Sequence, residues 1–252
     1  MLSEIKILGQ HGKQYIPDIR KAEVPSPFRG LPEITKGSDF PIPEDLCPTG
    51  AINTSLRTID IGMCSFCGEC EHRFPETIRF TNNHRTATND RNALIITEDQ
   101  RGSIELNPSL VRKEIIGVFG RSLKLRQVSA GGDNSAELEL GACGNVNFDM
   151  GRFGIEFVAS PRHADGVVVT GPISKNMSTA LEICYTAVAD PKLLILAGTD
   201  AISGGIFAGS PALDRSFLES HKVDLYVPGN PPHPLTFING ILDLIQSKKH
   251  QK

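Results

Sequence analysis

Three observations on this 252-residue chain predict an α/β protein built as a small α+β unit followed by a parallel-sheet unit. Residues 123–128 read as a strand and 166–171 and 192–198 as short apolar strands, each leading into a glycine-bearing loop, and a helical stretch over 174–189 separates the last two. Strands alternating with helices imply a parallel sheet whose functional loops gather at the carboxyl ends of its strands. Upstream, Thr58-Ile59-Asp60-Ile61 and Thr77-Ile78-Arg79-Phe80 alternate as half-buried strands, and three closely spaced cysteines lie between them.

Composition narrows the function classes. A net charge of -3 and the lack of any Lys/Arg run interleaved with aromatics argue against a nucleic-acid partner. No stretch approaches the roughly 20 apolar residues of a membrane span, and no secretory h-region follows Met1-Leu2-Ser3-Glu4-Ile5-Lys6, so any membrane association is expected through partner subunits. The absence of Trp and the three Tyr point to a core of aliphatics, Phe and tightly packed Gly.

Taken in order, residues 1–32 read as an extended arm. Tyr15-Ile16-Pro17 and the prolines at 25, 27 and 32 cannot sustain a helix or central strand. Tyr15, Ile16, Phe28 and Leu31 are expected to dock it on another surface. Residues 33–92 form the first unit and end in a polar, turn-rich stretch over 82–92. A short strand over 93–97 and a helix from Pro108, capped by Asn107, lead into the second unit, 93–252.

Cys64-Ser65-Phe66-Cys67-Gly68-Glu69-Cys70 supplies three sulfurs two residues apart, the spacing that wraps three corners of an iron–sulfur cube. A bacterial-type ferredoxin continues with a Cys-Pro pair, but position 74 is Phe. The fourth sulfur comes from Cys47-Pro48, which resembles the tail of a first ferredoxin half whose own three cysteines are replaced by Gly37, Phe40 and Pro43. The losses are complementary, removing every ligand of one cluster and none of the other. We therefore expect one [4Fe–4S] cluster on Cys47, Cys64, Cys67 and Cys70 in a ferredoxin-like domain. Four thiolates also suit zinc, but zinc motifs seldom combine CxxCxxC with Cys-Pro. A disulfide framework fits less well with a reducing compartment.

The second unit carries longer motifs: Arg152-Phe153-Gly154-Ile155-Glu156, Ser160-Pro161-Arg162-His163-Ala164-Asp165, Val169-Thr170-Gly171, Ser203-Gly204-Gly205-Ile206-Phe207, and Val223 through Pro234 with Pro228-Gly229-Asn230-Pro231-Pro232-His233. In this order they resemble the small subunit of respiratory complex I (the 20 kDa subunit) and of energy-converting [NiFe] hydrogenases, over about residues 123–245. The ferredoxin-like part, with its Phe28-Arg29-Gly30 leader, resembles the separate two-cluster electron-transfer subunit of the same complexes. The resemblance implies a flavodoxin-like parallel sheet in the second unit, and partners comprising a hydrogenase or complex I-type large subunit and membrane subunits.

In that family four cysteines on the sheet-edge loops hold a proximal [4Fe–4S] cluster. The matching positions here are Asp133, Ala136, Asp200 and Asn230, so the resemblance implies a degenerate former cluster site. Cys143 and Cys184 fall on no ligand position, and Cys184 reads as a small core residue. Asp133, Asp200 and Asn230 could gather as oxygen ligands for a hard cation. Polar fillers hydrogen-bonded to loop amides are the preferred reading. Arg162 and His163 are expected to anchor a loop and contact a subunit. The glycine-rich loops at 129–132 and 203–205 match no phosphate-binding pattern, and no catalytic set is assembled. The expectation is an iron–sulfur electron-transfer subunit, with the proximal cluster lost, held on the cytoplasmic face of the membrane by its partners. The alternative is a structural assembly subunit whose single cluster only stabilises the fold.

Overall fold

The computed structural model describes residues 2–245 apart from Lys13, Ser38, Gly120 and Arg121. The first residue of the expected arm (1–32) and residues 246–252 of the expected second unit (93–252) lie outside the described residues. The chain opens with α1 (Leu2–His11), continues through irregular backbone, and pairs β1 (Pro32–Ile34) antiparallel with β4 (Ile78–Phe80). Between them β2 (Ile52–Asn53) and β3 (Thr58–Asp60) pair antiparallel, and α2 (Glu69–Arg73) follows the cysteine loop. β5 (Ile95–Ile96) pairs with the other side of β3.

Beyond α3 (Lys113–Phe119) come β6 (Leu123–Ser129), α4 (Ser135–Ala142), β7 (Ile155–Phe157), β8 (Gly166–Thr170), α5 (Lys175–Ala187), β9 (Leu193–Ala197), α6 (Thr199–Ser203), α7 (Phe217–Ser220), β10 (Leu225–Val227) and α8 (Pro234–Leu244). Five strands form one parallel sheet, ordered β10-β9-β8-β6-β7. Counted along the chain this is the 2-1-3-4-5 order of flavodoxin-like folds, with its direction of winding reversing between β6 and β8.

β8 and β9 are buried at every residue because both faces of the sheet are covered, which explains their unbroken apolar runs. Side chains alternate across a strand. Val167, Val169, Leu194 and Leu196 join one core with Leu181 of α5, while Val168, Leu193, Ile195 and Ala197 join another with Ile115 of α3, Leu140 of α4 and most of α8. The first core continues into Ile34, Ile52, Ile59, Ile78 and Ile96, so the cysteine unit packs directly onto one side of the sheet.

Several expectations are corrected. Leu2–His11 is helical, not extended, because good helix formers occupy it and the first proline comes only at Pro17. The rest of the arm docks on this chain: Ile19 and Leu31 are 1% exposed, and Ile16 N–H donates to the Asn147 carbonyl at 2.9 Å. The polar stretch at 82–92 is no surface connection. His84, Thr86, Thr88 and Asn89 are buried, and Thr88 exchanges both backbone hydrogen bonds with Tyr226 on the edge of β10. β5, expected to open the second unit, belongs to the sheet of the first, since Ile96 buries itself against Ile59. Asn107 does cap Pro108, but only a 3-10 turn over Pro108–Leu110, and α3 starts later, after Arg112 reaches Asp224 with two contacts of 2.9 Å.

Candidate metal centre

The first cysteine follows a 3-10 turn, Glu44–Leu46, that ends at Cys47. Gly50, at φ +65°, then turns the chain back so that Ala51 N–H points at Cys47 Sγ, 3.3 Å away. The other three cysteines leave β3. The Asp60 carbonyl accepts from Met63 and Cys64 N–H, and its carboxylate is gripped by Arg91 at 2.9 and 2.6 Å, which fixes the loop entry. Phe66 adopts φ +53° and donates its N–H to Cys64 Sγ at 3.3 Å; Gly68, at φ +81°, then starts α2, whose first turn carries Cys70.

Cys47, Cys64, Cys67 and Cys70 all line one cavity, walled by Leu46, Ile52, Ile59 and Phe80. Cys64 is buried, Cys47 and Cys70 are half-buried and Cys67 is exposed. Burial pushes the Cys64 thiol far above its ordinary pKa, and that of Cys70 up to about 11, with the neighbouring cysteines adding to both. Bare, Cys64 and Cys70 stay protonated; bound positive charge is what makes such thiols thiolates. Among the described residues no three His, Cys, Asp or Glu side chains are gathered as for a single metal ion. The donor set fits an iron–sulfur group in its four soft sulfurs, its amides aimed at two of them and its apolar wall.

Asp133, Ala136, Asp200 and Asn230 line a second, smaller cavity at the carboxyl edge of the parallel sheet. They come from the loops after β6 and β10, from the start of α4 and from the first turn of α6 after β9, at the carboxyl ends of the strands. Gly132 and Gly171 let the loops after β6 and β8 meet: a Cβ on Gly171, at φ +77°, would lie 2.5 Å from Gly132 N. Asp133 accepts from the Ser135 hydroxyl at 2.7 Å and its N–H at 3.0 Å, which hold the carboxylate below its ordinary pKa. Burial first, then the Asp133 charge, raises that of Asp200, whose Oδ1 is buried without a hydrogen-bond partner.

Two residues that sequence reasoning missed join these sites. Thr199 is fully buried, lines the second cavity and donates its hydroxyl to the Cys64 carbonyl at 2.8 Å. Arg215 fans over the carbonyls of Pro172, Asp200, Ala201 and Ile202, at 2.9–3.3 Å, binding the loops after β8 and β9 together. A cleft of about 270 Å³, lined by Phe66 of the cysteine loop and Asn230 of the second cavity, also lies between them. Arg162 and His163 are exposed on the turn before β8, at the opposite sheet edge. Cys143 is buried at the end of α4 and Cys184 half-buried in α5; neither lines either cavity.

Residues 134–244 match the family described as NADH ubiquinone oxidoreductase, 20 Kd subunit. The chain is 34% identical over 124 residues to a probable membrane-bound hydrogenase subunit mbhJ of Pyrococcus furiosus, covering 49% of this chain and 74% of that one. It is 35% identical over 157 residues to an NADH-quinone oxidoreductase subunit of Heliobacterium modesticaldum, covering 62% and 89%. The chain belongs to the complex I 20 kDa subunit family. Against an NADH-quinone oxidoreductase subunit of Bacteroides fragilis identity is 40%, over 46% of this chain and 59% of that protein's length. A chain of an archaeal membrane-bound sulfane sulfur reductase shares 26% identity, covering 52% of this chain and 72% of that one, with a TM-score of 0.46. The stretch matched to the 20 kDa family holds no cysteine besides Cys143 and Cys184, and the four clustered cysteines precede it.

Proposed function

We propose that this chain is an iron–sulfur electron-transfer subunit of a complex I-like or membrane-hydrogenase-like oxidoreductase. In this reading residues 33–92 form the ferredoxin-like part, and Cys47, Cys64, Cys67 and Cys70 hold one [4Fe–4S] cluster. The observation that carries the reading is the convergence of these four cysteines on one cavity beside a 20 kDa-type sheet. When bound, such a cluster takes up and passes on single electrons. The chain's own part is to supply four sulfurs, bury that of Cys64, half-bury Cys47 and Cys70, and aim backbone amides at the sulfurs of Cys47 and Cys64.

The second cavity is a former cluster site in this reading. Asp133, Ala136, Asp200 and Asn230 offer no thiolate, Asp133 is engaged by Ser135, and the cavity is narrow. Polar fillers account for it better than a bound hard cation. A large subunit docking at this sheet edge is supported by Leu138, Ile206 and Phe207, which are 68%, 62% and 44% exposed on elements that follow its loops. No helix among the described residues is long and apolar enough to cross a membrane. In this reading partner subunits hold the chain on the cytoplasmic face.

Extraction of native membranes in mild detergent tests this assignment. A large-subunit homologue is expected to co-purify, and Ile206→Asp with Phe207→Asp is expected to release it. A monodisperse chain recovered without any such partner contradicts the assignment. Reversible one-electron titration of the purified chain separates electron transfer from a purely structural cluster, which decomposes on reduction.

A further inference from the structure

We propose that the Phe28-Arg29-Gly30 segment sets the redox poise of the cysteine centre. Arg29 is its positioning residue: the guanidinium holds the loop between Cys64 and Cys67, and its charge favours the reduced, more negative state of the bound group. The inference rests on the reading that Cys47, Cys64, Cys67 and Cys70 hold an iron–sulfur cluster.

Each residue of the segment has a separate geometric reason. Gly30 lies so close to the chain after β4 that a Cβ would sit 2.1 Å from the Asn83 carbonyl oxygen. That approach lets Gly30 N–H donate to the Thr81 carbonyl at 2.7 Å and Leu31 N–H to the Asn83 carbonyl at 2.9 Å, which fixes the segment in place. Phe28 meets the His233 ring edge-on at 5.1 Å, tying the other end to the loop before α8. Arg29, held between these anchors, donates Nε–H to the Phe66 carbonyl at 2.6 Å.

Phe66 is the midpoint of the cysteine loop, and its left-handed φ of +53° belongs to the conformation that presents this carbonyl to Arg29. The stem of Arg29 runs over Gly68, where a Cβ would approach its Cδ to 3.0 Å. Arg29 also borders the surface recess that contains Cys67, the exposed cysteine. The carboxylates on that rim are otherwise engaged: Glu69 with Arg73 at 2.7 Å, and Glu71 with Phe80 N–H at 3.0 Å. Among the described residues no carboxylate pairs with Arg29, so its charge is left to act on the loop. A fixed positive charge beside a redox centre stabilises the electron-rich state, and cluster potentials follow local charge and hydrogen bonding.

The test is a mediated one-electron titration of the purified full chain and its Arg29→Gln and Arg29→Lys variants, with electron paramagnetic resonance of the reduced state. R29Q is expected to lower the reduced-to-oxidised ratio at a set potential about threefold, the Coulomb effect of one exposed charge at side-chain range in a water-like dielectric. That equals about 28 mV at 59 mV per decade for a one-electron couple. R29K keeps the charge and is expected to stay near wild type. Equal potentials in R29Q and wild type overturn the proposal, as does R29K shifting as far as R29Q. Should R29Q fail to retain iron, R29K holding a cluster at the wild-type potential supports the role of charge; loss of iron from both variants overturns it. Wild-type protein without iron and sulfide refutes the underlying cluster assignment, a separate outcome.

Discussion

Cys64 is where the two cavities meet, its sulfur facing one and its carbonyl bonded to Thr199 of the other. Thr199→Val keeps the shape and leaves that buried carbonyl without its donor, a change expected to cost about 1–3 kcal/mol in chemical denaturation. An unchanged midpoint contradicts the brace. Cys64→Ser is expected to abolish most of the brown absorbance of anaerobically purified protein, and Cys184→Ser, outside the cavity lining, to leave it intact. That Cys64, Cys67 and Cys70 share one cavity is legible in the sequence because their CxxCxxC spacing is local. Thr199 and Arg215 are not, since hydrogen bonds to the Cys64 carbonyl 135 positions away and to carbonyls that follow two different strands leave no periodic or compositional trace.

At the scale of elements, β8, β9 and α5 can be read from pattern because the two fully buried parallel strands are almost continuously apolar and α5 stops at Ala187, three residues before Asp190-Pro191. The 82–92 segment escapes that reading because its polar side chains are hydrogen-bonded inside. Asn89, for instance, donates to the Asn107 carbonyl at 2.9 Å and accepts from Asn107 N–H at 2.8 Å. That segment makes stability pH-dependent. Burial, then His233 and Arg85, lower the pKa of His84 to about 4, from an ordinary value of 6.5. The unfolded chain therefore binds this proton more readily, so the contribution is complete above about pH 6.5 and is lost as pH falls toward 4. Denaturation midpoints are expected to fall over that interval, and His84→Gln is expected to flatten the slope; an identical slope contradicts the burial account. Gly171→Ala is expected to destabilise by about 2 kcal/mol or more, because its backbone is left-handed and the loop after β6 occupies the space. A calorimetric transition at the wild-type temperature contradicts that packing.

For the whole molecule, the continuous core from Ile34 and Ile59 to Val169 and Leu196 makes the cysteine unit and the sheet a single packed body. A division drawn at a polar stretch misses this, since composition does not reveal which apolar faces meet. The same packing makes the leader weaker support for a partner, because Ile19 and Leu31 are buried within this chain. The central claim, one cluster on four cysteines beside an emptied site, is tested most directly by iron, zinc and acid-labile sulfide analysis of anaerobically purified protein. The account predicts about four iron and four sulfide per chain. About eight of each would contradict the emptied site, and stoichiometric zinc without sulfide would contradict the cluster.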